Sequence, residues 1–127
     1  MNRDRYLGAS ADAIRAHYDR GRDFYELWLD PTLTYSCALW TETDSLEAAQ
    51  VRKIDFHADS AEASGASRVL DIGCGWGSTL ERLVTRHGVI HAVGITLSND
   101  QANYVSRNCA PGVEVRAAVA LVVDALA

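Results

Sequence analysis

The feature that most constrains the fold of this chain is a set of three closely spaced glycines that follows a short apolar segment. Residues 68–72 have the composition of a buried strand, and Gly73, Gly75 and Gly77 come directly after it. Apolar side chains then recur at intervals of three and four from residue 80, which indicates an amphipathic helix. A glycine turn between a strand and a helix lets the backbone bend tightly and approach a ligand closely. We therefore expect a binding site at this turn.

Strands and helices continue to alternate after this turn. Residues 91–97 are typical of a second buried strand, and Ser98 and Gln101 have the spacing of a capping box that opens the next helix. A Pro-Gly turn then leads into a predicted third strand over 113–115. Strands that alternate with helices in this way predict a parallel sheet with right-handed crossovers, which is an α/β fold.

Three helical segments are predicted before the first strand. Ser10 can cap the first, and the second, over 23–29, ends at an Asp-Pro step because the residue before proline avoids the helical region. A loop over 32–41 follows. Asp44 and Glu47 then resemble a capping box that opens the third helix.

An acidic residue beside the glycines narrows the choice of ligand. Asp71 stands two positions before the first glycine, and the Gly-x-Gly-x-Gly spacing is one residue tighter than that of dinucleotide-binding turns. A carboxylate there disfavours a pyrophosphate and attracts the ammonium of an amino-acid moiety, which S-adenosylmethionine carries. The alternative is that Asp71 only orients the loop and that the glycines only permit close packing of helix on strand. The complete string favours cofactor binding over that alternative.

Two polar residues near the end of the second strand, Thr96 and Gln101, are candidates for hydrogen bonds to the ribose of such a cofactor. A dinucleotide-binding enzyme would carry an acidic residue at this place, where this sequence reads Ile-Thr-Leu-Ser. Gln101 is equally explained as the reciprocal partner in the capping box. Both interpretations stay open at this point.

Taken together, these motifs resemble the family of cyclopropane-fatty-acid synthases and mycolic acid cyclopropane synthases, which are S-adenosylmethionine-dependent methyltransferases. The resemblance covers most of the chain, and the set of motifs in this order is highly specific. It rests on His17-Tyr18-Asp19, Phe24-Tyr25-Glu26-Leu27, residues 30–38, residues 70–77, and residues 94–98 with Gln101. It implies a Rossmann-like class I methyltransferase fold. Residues 1–63 would form a helical cover with a cofactor-contacting loop, and residues 64–127 the first half of the cofactor-binding domain.

The resemblance also implies a reaction and roles for individual residues. The residues that would contact the cofactor are Tyr35 and Ser36, then Gly73, Gly75 and Gly77 at its methionine part, and Thr96 and Gln101 at its ribose side. Cys37 falls where cyclopropane synthases of the family use a cysteine to help hold a bicarbonate ion, and it is the one residue to which we give a catalytic role. The family transfers a methyl or methylene carbon to an alkene of a lipid, whereas some relatives methylate small natural products.

Aromatic side chains in the first part of the chain suit a cationic ligand. Tyr18, Phe24, Trp28 and Tyr35 offer ring faces that can stabilise a sulfonium by cation–π attraction and exclude water. For Leu27 and Trp28, a simple core position is the favoured interpretation. The four histidines lack a metal-binding spacing, and we give them no role.

The composition limits the class of protein and its partners. The chain has 127 residues, of which 48% are hydrophobic, and a net charge of −5, which is typical of one globular domain and unfavourable for binding nucleic acid. Three scattered cysteines predict reduced thiols, and the amino terminus lacks the apolar core of a signal peptide. No apolar run reaches the roughly 20 residues of a membrane span. We therefore expect a cytoplasmic protein without a transmembrane segment.

The family pattern stops near the third strand. Beyond residue 116 an alanine- and valine-rich segment stands in place of the family's later Gly-Trp-Glu type segment and its later catalytic acid, histidine and tyrosine. We expect a chain truncated after the third strand, with an unpaired apolar sheet edge open to self-association. Three functions remain: a methyltransferase acting on an unsaturated lipid or a similar apolar molecule, a natural-product C- or N-methyltransferase, and a non-catalytic remnant that binds the cofactor.

Overall fold

The computed structural model describes residues 10–42 and 45–117. In these ranges the elements follow one another as α1 (Ala11–Tyr18), α2 (Arg22–Glu26), α3 (Leu46–Ser60), β1 (Arg68–Ile72), α4 (Ser78–Thr85), β2 (His91–Thr96), α5 (Asn99–Asn108) and β3 (Val113–Ala117). The alternation of strands and helices from β1 onward confirms the predicted α/β fold.

The three strands form one parallel sheet in the order β1-β2-β3. In its register Leu70 lies beside Val93, and Val93 lies beside Glu114. Because the strands are parallel, their carboxyl ends meet at one edge of the sheet. Open α/β sheets bind their ligands at that edge, so the topology places the glycine turn where a ligand is expected.

One face of the sheet packs against helices and forms the main core. The buried members of this core are Ala58, Ala63, Cys74, Leu80, Leu83, Val89, Ala92 and Val105. Gly94 of the middle strand makes this packing possible, because a Cβ there would lie 2.5 Å from Leu80 Cδ1 and 2.7 Å from Cys74 Sγ. The glycine turn and α4 therefore approach β2 as closely as backbone and side chains allow.

The other face of β1 carries apolar side chains in contact with solvent. Leu70 and Ile72 are 50% and 59% exposed, and β1 lies at an edge of the three-stranded sheet. These side chains lie on a face of the sheet, whereas the prediction concerned an unpaired strand edge, which among the described strands is offered by the outer side of β1. Self-association through that edge stays a prediction.

Serine hydroxyls cap the helices before the sheet. Ser10 Oγ accepts a hydrogen bond from the amide of Ala13 at 3.1 Å, as predicted. The cap of α3 is Ser45, whose Oγ accepts from the amide of Ala48 at 3.1 Å, and the prediction of Asp44 as the cap is wrong. Asp44 itself lies outside the described residues. Serine and aspartate are about equally favourable as N-cap residues, so the sequence alone does not distinguish Asp44 from the adjacent Ser45.

Helix α2 is shorter than predicted and buries a different side chain. It does not extend over 23–29, and Leu27 and Trp28 are 81% and 46% exposed, so the prediction that both are core residues is wrong. Tyr25 occupies the core instead, and its hydroxyl donates to the carbonyl oxygen of His17 at 2.8 Å. A helix of five residues is too short for apolar periodicity to define its buried face.

The predicted capping box of α5 is half present. Ser98 Oγ accepts from the amide of Gln101 at 3.2 Å, which confirms the cap. In a complete capping box the amide of Ser98 would donate to the side chain of Gln101. Here it donates to Thr96 Oγ1 at 3.1 Å instead. The Thr96 hydroxyl in turn donates to Gln101 Oε1 at 2.6 Å. The side chain of Gln101 is therefore not explained by helix capping.

Candidate cofactor site

A cavity of about 520 Å³ opens at the carboxyl ends of β1 and β2. Its volume lies in the range of small-molecule sites. Its wall is formed by α1, the loop after α2, α3, the glycine turn and the start of α5, which contribute among others Ile14, Tyr18, Thr34, Tyr35, Ser36, Cys37, Lys53, His57, Asp71, Gly73, Gly75, Thr96 and Gln101. The cavity is thus built from segments that are far apart in the sequence.

Helix α1 reaches this cavity because it is tied to the start of α5. The Arg15 guanidinium donates to the carbonyl oxygen of Leu97 at 3.3 Å. The Asp19 carboxylate accepts from the hydroxyl of Ser98 and from the amide of Asp100, the latter at 3.4 Å. These contacts hold the amino-terminal cover over the carboxyl ends of the strands.

All but one of the predicted site residues line this cavity. Those in its wall are Tyr35, Ser36, Cys37, Asp71, Gly73, Gly75, Thr96 and Gln101. Gly77 is the exception. Residues predicted from three separate motifs therefore share one wall, while their individual binding roles remain predictions.

The first two glycines of the turn leave open space in the cavity. Apart from the glycine itself and its two chain neighbours, no described residue has an atom within 4 Å of the place where a Cβ of Gly73 or Gly75 would stand. The amides of Gly73 and Cys74 both donate to the carbonyl oxygen of Ile95, at 2.8 Å and 3.0 Å, and so fix the turn to β2. The turn thus combines a rigid backbone with room for a ligand.

The third glycine of the turn serves packing. A Cβ on Gly77 would lie 2.8 Å from Val105 Cγ2 and 3.1 Å from Cys109 Sγ, both on the α5 side. Its φ of +87° is also a conformation that side chains disfavour. Of the two alternatives weighed for the glycines, space for a ligand fits Gly73 and Gly75, and close packing explains Gly77.

The loop that carries Tyr35 and Ser36 is organised by the buried carboxylate of Asp30. This carboxylate accepts from the amides of Thr32 and Thr34, at 3.0 Å and 3.1 Å, and from the Thr32 hydroxyl at 2.5 Å. Because the Thr32 hydrogen is used in this way, Thr34 Oγ1 donates to Thr32 Oγ1 at 2.7 Å and accepts from Ser78 Oγ at 2.9 Å. A chain of hydroxyls therefore joins the loop to the start of α4.

A buried glutamine on α3 holds the same loop from the other side. Gln50 Nε2 donates to the carbonyl oxygens of Thr34 and Ser36, at 3.1 Å and 2.7 Å. Gln50 is 3% exposed. The backbone on both sides of Tyr35 is thus held by hydrogen bonds from α3.

The cavity wall contains one carboxylate and one ammonium among the described residues, those of Asp71 and Lys53. Burial raises the pKa of Asp71, and the positive charge of Lys53 acts in the opposite direction. Burial lowers the pKa of Lys53, while the neighbouring carboxylates of Asp30 and Asp71 and the nearby Cys37 act to raise it. The Lys53 ammonium donates to Ser36 Oγ at 2.5 Å. Each charge is partly stripped of water and stabilised by the other across the site.

Aromatic rings border the cavity on the side of α1 and α2. The rings of Tyr18 and Tyr35 have centroids 6.0 Å apart, and both residues line the cavity. Trp28 packs edge-on against Tyr35 with centroids 5.0 Å apart, but neither Trp28 nor Phe24 belongs to the wall. Of the four aromatic residues predicted to face a cation, two are therefore in position.

Sequence reasoning missed the contribution of α3 to the site. Lys53 and His57 line the cavity, and Gln50 supports it. These residues stand at intervals of three and four, so they share one side of the helix. Polar residues at helical spacing next to the apolar Ile54 were the available signal, and the single lysine of the chain was another.

The described residues contain neither a metal-binding cluster nor a helix suited to span a membrane. No group of three or more histidine, cysteine, aspartate or glutamate side chains there is arranged to hold a metal ion. None of the described helices has the length and apolar character needed to cross a membrane.

Comparison with known sequences returns cyclopropane mycolic acid synthases. The family profile described as mycolic acid cyclopropane synthetase matches residues 7–123. Cyclopropane mycolic acid synthase 1 of Mycobacterium tuberculosis is 43% identical over 104 residues, which are 81% of this chain and 36% of that protein. Cyclopropane mycolic acid synthase 3 of the same species is 44% identical over 95 residues, 74% of this chain and 33% of that protein.

Solved structures show the same fold. The cyclopropane synthase MmaA2 from Mycobacterium tuberculosis matches with a TM-score of 0.75 and 39% identity, over 89% of this chain and 41% of that chain. The mycolic acid cyclopropane synthase CmaA1 complexed with SAH and CTAB matches with a TM-score of 0.75 and 38% identity, over 88% of this chain and 41% of that chain. Coclaurine N-methyltransferase, at 24% identity and a TM-score of 0.77, shares the fold alone. The predicted class I methyltransferase fold is confirmed.

These matches also define how much of the family this chain represents. The chain spans about a third of the length of the curated relatives it matches. The family profile nevertheless runs over almost the whole chain and includes every segment that forms the cavity wall. On this basis the chain belongs to the mycolic acid cyclopropane synthetase family.

Proposed function

We propose that this chain provides the cofactor-binding part of a methyltransferase that transfers a methyl or methylene carbon from S-adenosylmethionine to an unsaturated lipid or a comparably apolar acceptor. The observation that carries the proposal is the cavity beside Gly73 and Gly75, with Asp71 in its wall. S-Adenosylmethionine, when bound, supplies a methyl group on a positively charged sulfur. The cavity offers a suitable partner to each of its three parts.

The amino-acid part fits the glycine turn. The open space at Gly73 and Gly75 admits a ligand up to the backbone, where a side chain would exclude it. Asp71 offers its carboxylate to the ammonium of the ligand by Coulomb attraction. The backbone of the loop is held by Gln50, so Tyr35 and Ser36 need little rearrangement to take part in binding.

The nucleoside and the sulfonium fit the remaining wall. Thr96 and Gln101 are joined by a hydrogen bond and present polar atoms for the ribose. Tyr18 and Tyr35 present aromatic rings, which attract a positive sulfur. These residues bind and orient the cofactor, and orientation of both reactants supplies much of the acceleration in a transfer of this kind.

The proposal of a lipid acceptor is supported by the similar proteins rather than by the geometry of the cavity. The curated relatives carry names that specify mycolic acid, and the solved CmaA1 structure contains CTAB together with SAH. Cys37, which the family resemblance pairs with a bicarbonate ion, lies exposed in the cavity wall. We extend the proposal to this residue as a contributor to bicarbonate binding, with loss of turnover in Cys37→Ala at unchanged cofactor affinity as the expected result.

The proposal is tested by measuring binding and turnover separately. Isothermal titration with S-adenosylhomocysteine reports binding, and transfer of labelled methyl carbon to vesicles of unsaturated phospholipid reports turnover. Binding with transfer to the lipid is the expected result for the whole protein. Binding with transfer only to a small amine or phenol would favour a natural-product methyltransferase, and binding without any transfer would favour a remnant. Absence of binding would overturn the proposal.

A further inference from the structure

Lys53 is the single lysine among twelve basic residues of this chain, and its side chain lines the candidate cofactor cavity. The wall contains no arginine, so this ammonium is its one permanently basic group among the described residues. The family resemblance gave Lys53 no role. Its role at the cavity is therefore inferred from its own contacts.

The contacts of Lys53 leave its charge available to a ligand. The ammonium donates to Ser36 Oγ at 2.5 Å, which uses one of its three hydrogens. Asp71, Asp30 and Cys37 act on it electrostatically, yet no carboxylate of the described chain forms a direct ion pair with it. The carboxylate of Asp71 is likewise available to a ligand, since no described residue donates a hydrogen bond to it. Two opposite, half-buried charges thus face one cavity without a direct ion pair among the described residues.

An α-amino acid is a ligand that satisfies both charges at once. Its ammonium and its carboxylate are held a few bonds apart, and a site with one carboxylate and one ammonium is complementary to this pair. A neutral ligand would leave both side chains partly desolvated and unpaired, which is unfavourable.

We propose that Lys53 binds the carboxylate of the cofactor's methionine part, while Asp71 binds its ammonium. This assignment rests on the proposed function, because it presupposes that S-adenosylmethionine occupies the cavity. Lys53 keeps its bond to Ser36 in the complex and thereby links the loop after α2 to the bound amino acid. It is a binding residue and takes no part in the transfer itself.

The test compares ligands that differ only in the carboxylate. S-Adenosylmethionine and decarboxylated S-adenosylmethionine are titrated calorimetrically into the wild type, Lys53→Met and Lys53→Arg. Lys53→Met is expected to bind S-adenosylmethionine about tenfold to a hundredfold more weakly, as for loss of one partner of a partly desolvated charge pair. Its affinity for the decarboxylated ligand should stay within about twofold of the wild type. Lys53→Arg should recover part of the lost affinity because it keeps the charge.

A control variant removes the same charge elsewhere. Arg107→Met deletes a positive charge from the exposed surface of α5, away from the cavity, and should leave both affinities unchanged. Equal loss for both ligands in Lys53→Met would overturn the inference, because Lys53 would then act only by screening Asp71 or by holding Ser36. A wild type that binds neither ligand would instead overturn the proposed function, and the inference with it.

Because the chain has a single lysine, the pKa of Lys53 can be measured directly by NMR. Reductive methylation with labelled formaldehyde gives one lysine side-chain resonance, distinct from that of the terminal amine, whose titration reports the pKa of Lys53. S-Adenosylhomocysteine should raise this pKa, because a carboxylate next to the ammonium favours its charged form. An analogue without the carboxylate should not raise it. An equal shift with both ligands would contradict direct contact.

Discussion

Replacement of Gly75 by valine, compared with a matched control, distinguishes loss of the space for the cofactor from loss of fold stability. Gly75 has a φ of +55°, and apart from its two chain neighbours no described residue lies within 4 Å of the place of its missing Cβ. Gly65, in the turn before β1, has a φ of +72° and the same free space, but it does not line the cavity. Gly65→Val is therefore a matched control, because the two variants carry similar backbone strain and only one places a side chain where we expect the cofactor.

The expected magnitudes follow from this geometry. A left-handed conformation costs a residue with a Cβ roughly 1–2 kcal/mol, and the branched valine lies toward the upper end. Gly75→Val and Gly65→Val should each lose about 2 kcal/mol of unfolding free energy. In Gly75→Val the two methyl groups also occupy the open space of the cavity. Cofactor binding should weaken by more than about a hundredfold, or about 2.7 kcal/mol.

Two measurements check this prediction. Urea unfolding without ligand gives the stability of each variant, and titration with S-adenosylhomocysteine gives its affinity. Gly75→Ala serves as the milder variant if valine prevents folding. Wild-type affinity in the folded Gly75 variants would refute the position of the site, and an equal loss of affinity in Gly65→Val would show that strain alone explains the effect.

Three further predictions concern stability and assembly. Gly77→Ala should lose about 2–4 kcal/mol of unfolding free energy in urea, because its Cβ would meet Val105 Cγ2 at 2.8 Å, while the folded fraction keeps its cofactor affinity; an undisturbed stability would contradict the packing role. Asp55, whose pKa the Arg82 guanidinium lowers to about 2, stabilises the fold above its unfolded pKa near 3.8, and this contribution is lost as the pH falls toward 2. Since its side chain is about one third exposed, Asp55→Asn should cost only about 1 kcal/mol at pH 7 and should flatten the decline in stability below pH 4, as urea unfolding across pH would show. Leu70→Lys should reduce any self-association of the wild type in analytical ultracentrifugation, and a wild type that is monomeric at all concentrations would remove that expectation.

The glycine turn was predictable from sequence because its requirements are local. A backbone that must bend and leave room for a ligand needs glycine at fixed intervals, and a strand before the turn gives Asp71 its place. The parallel sheet was predictable for a similar reason, since buried strands and amphipathic helices each leave a period in the sequence.

The contribution of α3 was not predictable in the same way. Lys53 precedes the glycine turn by 20 residues, and only the packing of α3 beside α4 brings it to the cavity. The exposure of Leu27 and the hydrogen bond between Thr96 and Gln101 also depend on tertiary neighbours rather than on local spacing. Local rules therefore located the turn, and tertiary packing decided which other side chains share its cavity.

We propose that the space beside Gly73 and Gly75 receives the amino-acid end of S-adenosylmethionine. A crystal structure of the protein with bound S-adenosylhomocysteine tests it most directly. We expect ligand density over the glycine turn, with the ammonium at Asp71 and the ribose at Thr96 and Gln101. Ligand density at any other place, or protein atoms filling that space in the complex, would contradict it.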